Sequence, residues 1–283
     1  LLTSYHYTTF FAECQRIKQK RVIICTEHKL TGNFISYIID RKLGGTYMLV
    51  GIIGAMDLEV QALKGLMDNA VVETISTIDF YKGNINGVET VVAVAGVGKV
   101  NAAVCAQTMI LKYSPDIMIN VGVAGGLSDE FKIGDIAVAD SVVEHDMDTS
   151  PIGDPVGLIS GINLVNIPCD KKLADLMEQA VSKVGTITSK RGVIASGDQF
   201  ISKQEQRDRI KDNFGAIAAE MEGASIGHVC YMNGVPFGVL RAISDGANDD
   251  SHMDYPEFAK MAAANSIKII LELLNSINGG KLQ

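Results

Sequence analysis

Met48-Leu49-Val50-Gly51-Ile52-Ile53-Gly54 is an apolar run with no polar side chain in it. A strand with one wet face alternates polar and apolar residues. A run that is apolar at every position fits a strand covered on both faces, as in a sheet wrapped by helices. Asp116-Ile117-Met118-Ile119-Asn120-Val121 reads the same way, and so does Gly238-Val239-Leu240-Arg241-Ala242-Ile243 with Ser244-Asp245 behind it. Buried strands spaced by helical patterns point to an α/β architecture.

Working outward, Ala55-Met56 turn the chain and Asp57-Leu58-Glu59-Val60 opens an amphipathic helix with Val60, Leu63 and Met67 on one side. An acidic first turn suits the helix dipole. Capping accounts for Asp57 and is one of two open readings for Glu59. Val71–Thr77, Phe80–Ile85 and Val88–Val94 read as short strands, the last two joined by the hairpin dipeptide Asn86-Gly87. Gly96-Val97-Gly98-Lys99 leads into a helix, Val100–Tyr113, but has neither Walker nor dinucleotide-binding spacing. Lys99 by itself reads as a solvated surface residue. Small residues fill Gly122-Val123-Ala124-Gly125-Gly126, which permits close approach of a ligand and would equally serve a tight turn. Residues 144–162 are acidic with little periodicity, the mark of a functional loop. His145, Asp146 and Asp148 in it read as loop polar groups, and His228 as a satisfied core histidine.

Helices follow at Leu173–Val184 and Lys203–Asn213, with the strand Gly192–Ala195 and the turn Ser196–Ile201 between them. A helix at 220–233, a strand at 235–243 and a helix from Pro256 to Asn278 complete the chain. Phe258, Met261, Ala262, Ile267, Ile270 and Leu271 are the expected core face of that last helix. The expectation is a single α/β domain, a mixed twisted β-sheet flanked by helices, over residues 48–283.

Residues 1–47 differ from the rest. They hold seven Lys/Arg against three Asp/Glu, and seven of the 17 Phe and Tyr, but no run long enough for a core. Leu43-Gly44-Gly45-Thr46-Tyr47-Met48 can be encoded by a purine-rich ribosome-binding sequence and a start codon. The expectation is that Met48 is the natural start and 1–47 an extension outside the native fold.

A net charge of −8 argues against a nucleic-acid or anionic-membrane binder. Five scattered cysteines without a Cys-x-x-Cys pair fit a reducing cytoplasm and no structural zinc, and the histidines make no metal-ligand spacing. No apolar run approaches the roughly 18 residues of a membrane span.

Ala219-Glu220-Met221-Glu222-Gly223 carries the sharpest local question. Read as a helix start, the two glutamates stand about 200° apart, so one faces the core. Ser225, Ile226 and Val229 share the face of Glu222, whereas Gly223, Ala224 and Gly227 share that of Glu220. Buried carboxylates need partners. Glu222 therefore faces a cavity that supplies one, and Glu220 points outward without a role. In such sheets ligands sit at the carboxyl ends of the strands. Glu59, Glu222 and Asp245 would then line one glycine-rich crevice, suited to sugar hydroxyls and repellent to polyphosphate.

Gly51-Ile52-Ile53-Gly54-Ala55-Met56 with Glu59, Gly96-Val97-Gly98-Lys99-Val100, Asn120–Gly126, Ser196-Gly197-Asp198 with Phe200-Ile201, Glu220-Met221-Glu222 and Arg241–Asp245 together resemble one family's motif set. It is that of the bacterial 5′-methylthioadenosine/S-adenosylhomocysteine nucleosidases, within the purine nucleoside phosphorylase superfamily. The resemblance runs from Met48 to the C-terminus. It implies hydrolysis of the adenine N9–ribose bond of small adenine thionucleosides, with water as nucleophile and no cofactor or metal. It further implies a place in methionine salvage, and a homodimer with residues 144–162 near the interface.

The resemblance also assigns roles. Asp245 donates a proton to N7 and Ser244 orients it. Glu59 takes a proton from the attacking water, with Arg241 positioning both. Glu222 accepts the ribose hydroxyls and Met221 packs on the sugar. Phe200 stacks on adenine while the Ile201 backbone reads its edge. Gly125 and Ala55 allow backbone approach, Tyr255 lies near the 5′ end, and Val97 and Ile152 form an apolar 5′ pocket. Two positions depart from the pattern: Val123 where many relatives carry serine, and Ile152 where an aromatic is frequent. The rivals are a phosphate-dependent purine nucleoside phosphorylase, which Glu59 opposes by repelling phosphate, and a non-catalytic nucleoside-binding protein on the same fold.

Overall fold

A computed structural model describes residues 48–185, 187–245, 255–280 and 282, excluding the side chains of residues 255 and 256. The expected extension ahead of Met48 lies outside the described residues.

All six residues of β1 (Leu49–Gly54) are buried. Successive side chains leave a strand on opposite faces. Accordingly Leu49 and Ile53 join one hydrophobic cluster with Cys105 and Met109 of α2 (Lys99–Tyr113). Val50 and Ile52 join another with Val60 and Leu63 of α1 (Asp57–Gly65) and Ile270 and Leu273 of α6 (Tyr255–Asn278). The two-sided burial read from the sequence is thus a helical layer on each face.

β1 pairs in parallel with β4 (Val88–Val94) on one side and β5 (Ile117–Gly126) on the other. β2 (Asp68–Ile75) and β3 (Ile78–Ile85) extend the sheet antiparallel beyond β4. The β3–β4 turn is Asn86-Gly87 with φ 51° and 80°, the expected hairpin. Past β5 the sheet runs through β10 (Phe237–Asp245), β6 (Ile136–Glu144), β8 (Ser189–Ser196) and β9 (Ala216–Glu220). β9 then pairs back with β5 through Gly125↔Ala219, closing a ring of five strands. β7 (Ile167–Pro168) is a two-residue addition to β6. α3 (Lys171–Val184), capped by Asp170 accepting from the Leu173 N–H, covers the sheet beside α6. α4 (Gln204–Phe214) precedes β9, and α5 (Gly223–Asn233) follows it.

Two expectations change. Residues 219–223 do not begin a helix: Ala219 and Glu220 end β9, and α5 starts at Gly223. Both glutamates are buried, so Glu220 does not point outward. The buried face of α6 is Ala259, Ala262, Ala263, Ser266, Ile269, Ile270, Leu273, Leu274, Ser276 and Ile277, leaving Met261 exposed and Ile267 and Leu271 partly buried. Of the residues expected at the core, Ala262 and Ile270 lie on it, whereas Phe258, Met261, Ile267 and Leu271 flank a stripe that includes alanine and serine. Among the described residues no helix is long and apolar enough to cross a membrane.

Candidate active site

The carboxyl ends of β1, β5 and β10 are parallel neighbours, and a cavity of about 220 Å³ opens there. Its wall takes residues from the turn after β1, the end of β5, the loop before α4, the β9–α5 junction and the end of β10.

Glu59 sits at the third position of α1 and turns back over its own N-terminus. Its Oε2 accepts from the N–H groups of Ala55 (2.7 Å) and Met56 (2.9 Å), and its Oε1 from that of Val123 (3.1 Å). The Glu59 side chain therefore caps its helix and also forms part of the cavity wall. Burial raises its pKa against the opposing pull of Arg241 and these backbone donors.

Arg241, on β10, is 1% exposed. Its Nε donates to Glu220 Oε2 over 3.0 Å, and its Nη2 reaches Glu220 and Asn120 Oδ1 and lies 3.7 Å from Glu222 Oε2. Asn120 is fixed in turn by donating from Nδ2 to the Ile53 carbonyl at 2.9 Å. Glu220 also accepts from the Ser196 hydroxyl and from the Gly223 N–H at 2.8 Å. Burial works to raise Glu220, but Arg241 and Ser196 outweigh it and hold the carboxyl below its usual range. Glu222 gets less help. Its Oε1 accepts from the Gly98 N–H at 2.9 Å, while burial and then the Glu220 charge push its pKa up to about 7. Burial also works against the Arg241 cation, but Glu220, Glu222 and Glu59 raise its pKa.

A Cβ on Gly122 would lie 2.5 Å from Arg241 Nη1 and 2.6 Å from Glu59 Oε1. Only glycine lets both charged groups lie against β5 at that point. Further along β5, a Cβ on Gly125 would come to 3.0 Å from Asp245 Oδ2. Asp245 Oδ1 accepts from the Ser244 hydroxyl at 2.9 Å, and Arg207 Nη2 lies 3.7 Å from Oδ2.

The cavity brings together most of the residues singled out in the sequence: Ala55, Glu59, Val97, Val123, Gly125, Phe200, Ile201, Met221, Glu222, Ser244 and Asp245. Phe200 is 55% exposed and lines the cavity. Arg241 stands behind the wall, hydrogen-bonded to Glu220 rather than to Glu59. Ile152 lies outside the wall, 83% exposed in the single 3-10 turn Ser150–Ile152. The side chain of Tyr255 is outside the described residues. Glu220, Asn120, Ser196 and Arg207 were missed by sequence reasoning. The amide inside the apolar run 117–121 was the one signal that could have found Asn120.

Lys99 is not the solvated residue expected. Its Nζ bridges Asp146 (2.7 Å) and Glu144 (3.1 Å), and Glu144 also takes His228 Nδ1 at 3.1 Å. His145 is 5% exposed and packs over Gly197, so it is a buried group and not a loop-surface one. Among the described residues no group of three or more His, Cys, Asp or Glu is placed to hold a metal ion.

Residues 49–275 match the sequence model of the phosphorylase superfamily. Over 231 residues the chain is 39% identical to the 5′-methylthioadenosine/S-adenosylhomocysteine nucleosidase of Shewanella halifaxensis, covering 81% of this chain and all of that protein. Among solved structures it is similar to the nucleosidase of the same name from Neisseria meningitidis in complex with methylthio-immucillin-A. The TM-score is 0.77 at 33% identity, over 81% of this chain and 99% of the other. It is also similar to the Colwellia psychrerythraea enzyme in complex with adenine, with TM-score 0.77 at 32% identity, over 84% and 96% of the two chains.

Proposed function

Because the chain belongs to the phosphorylase superfamily, among its 5′-methylthioadenosine/S-adenosylhomocysteine nucleosidases, we propose a hydrolytic mechanism built on Glu59, Glu222 and Asp245. The protein is an N-glycosyl hydrolase that cleaves the adenine N9–ribose bond of 5′-methylthioadenosine and S-adenosylhomocysteine. Asp245 gives a proton to N7, so adenine departs as a neutral base and not as a poor anionic leaving group. The C1′–N9 electron pair goes with it. Positive charge then grows on the ribosyl ring, and the carboxylates beside it stabilise that charge. Water adds to C1′ and yields its proton to Glu59. Glu222 accepts from the ribose hydroxyls, Met221 packs on the sugar, and Phe200 and the Ile201 backbone hold the base. Arg241 acts behind them, neutralising Glu220 and setting Glu222.

The observation that carries this reading is Glu59, a buried carboxylate fixed by three backbone donors at the wall where the nucleophile would enter. Its charge repels phosphate and activates water. Val123 offers no side-chain donor there, which further disfavours a phosphorylase. Glu59→Gln and Asp245→Asn, which keep shape and remove base and acid, test the assignment through adenine release. Each should lower kcat by about 10²–10⁴-fold with the fold intact. Full turnover in either variant removes that residue from the mechanism.

The reading extends to methionine salvage, since the products are adenine and a thio-sugar, and to a cytoplasmic homodimer. Supporting the dimer, with residues 144–162 near its interface, are the exposed apolar side chains of Ile152 and Val97. Sedimentation equilibrium of the wild type and Ile152→Asp tests it: a dimer weakened by the aspartate is expected, and a wild-type monomer contradicts it.

A further inference from the structure

α4 is a helix of mostly charged and polar residues whose buried members are Arg207 and Ile210. An arginine 8% exposed, where an apolar residue would seal the helix, calls for a function that repays its desolvation. Arg207 reaches the cavity wall, and its Nη2 lies 3.7 Å from Asp245 Oδ2. The other carboxyl oxygen, Oδ1, is taken by the Ser244 hydroxyl at 2.9 Å. The Asp245 carboxyl thus has a hydrogen bond on Oδ1 and a guanidinium at ion-pair distance from Oδ2. The contacts come from different elements, one from its own strand and one from the helix just after the Phe200-Ile201 loop.

We propose that Arg207 is a positioning residue for the reaction, acting through Asp245; this rests on Asp245 being the general acid. As the proton passes from the Asp245 carboxyl to N7 and the C1′–N9 bond breaks, the carboxyl becomes a carboxylate. The attraction between that carboxyl and the guanidinium 3.7 Å away grows at that moment. It is stronger in the transition state than before it, which is the condition for accelerating the chemical step. The two contacts also stop the carboxyl rotating, so one oxygen stays aimed at the base.

The test uses two substrates, 5′-methylthioadenosine and a 5-methylthioriboside of p-nitrophenol. The second has a leaving group that departs as its anion and needs no acid. Arg207→Met should lower kcat on methylthioadenosine by about 10–100-fold while leaving its KM and the p-nitrophenyl rate within about threefold. Arg207→Lys should recover most of the loss, because it restores the charge. Equal loss on both substrates, as an unfolded variant would give, overturns the proposal. So does a change confined to KM, which would make Arg207 a substrate ligand, or unchanged kcat. Asp245→Asn on the same pair separates the two layers. If it shows no leaving-group dependence, the acid assignment falls and the proposal with it. If it does and Arg207→Met does not, only Arg207 is removed.

Discussion

Arg241 Nε and Glu220 Oε2 meet at 3.0 Å with both side chains withdrawn from solvent. That ion pair is the floor on which the candidate site stands, because the same guanidinium lies 3.7 Å from Glu222. Replacing one partner of a buried pair leaves the other uncompensated, at a cost of about 3–5 kcal/mol. Glu220→Gln is therefore expected to lower unfolding stability by about that amount in urea titration. A variant as stable as the parent would mean the pair has no such role.

Glu222 predicts a pH dependence. Its carboxyl is raised from 4.5 to about 7 by burial and the neighbouring Glu220 charge, so the folded protein binds its proton more tightly than the unfolded chain. Stability contributed this way is present below the unfolded value and is lost as pH rises through the folded one. Between pH 4.5 and 7 this group lowers the stability of the ligand-free protein, on the order of a few kcal/mol in all. Glu222→Gln should flatten that part of the curve. An unchanged slope would show that Glu222 does not titrate there.

Gly122 gives a steric prediction. Gly122→Ala puts a methyl group 2.5 Å from Arg241 Nη1 and 2.6 Å from Glu59 Oε1, displacing both charged groups together. The expected result is a fall in kcat of about 10²-fold or more, with the circular dichroism of the fold retained. Near-normal turnover would mean that Glu59 need not lie against β5.

The sheet was legible in the sequence because two-sided burial leaves apolar runs such as Leu49–Gly54 that little else produces. The β9–α5 junction was not. Ala219-Glu220-Met221-Glu222-Gly223 suits a helix by composition, and helical spacing turns Glu220 away from Glu222. In an extended strand, however, residues two apart point to the same side. The chain is still extended at Glu220, so both carboxylates come to the same arginine. Arg207 was hidden for another reason: among the charges of α4 nothing local separates it from Arg209, and its burial depends on where β10 ends. Lys99 found its carboxylates 45 and 47 residues away, beyond any local pattern. The three acids were legible because each follows a strand or opens a helix, at the carboxyl ends of strands where ligands sit.

The central claim is that water, activated at Glu59, replaces adenine at C1′. Turnover of 5′-methylthioadenosine in phosphate-free buffer enriched in ¹⁸O water tests it most directly. Adenine release should be undiminished, with one ¹⁸O at C1 of the methylthioribose formed. Turnover that requires phosphate, with 5-methylthioribose 1-phosphate as product, would contradict it.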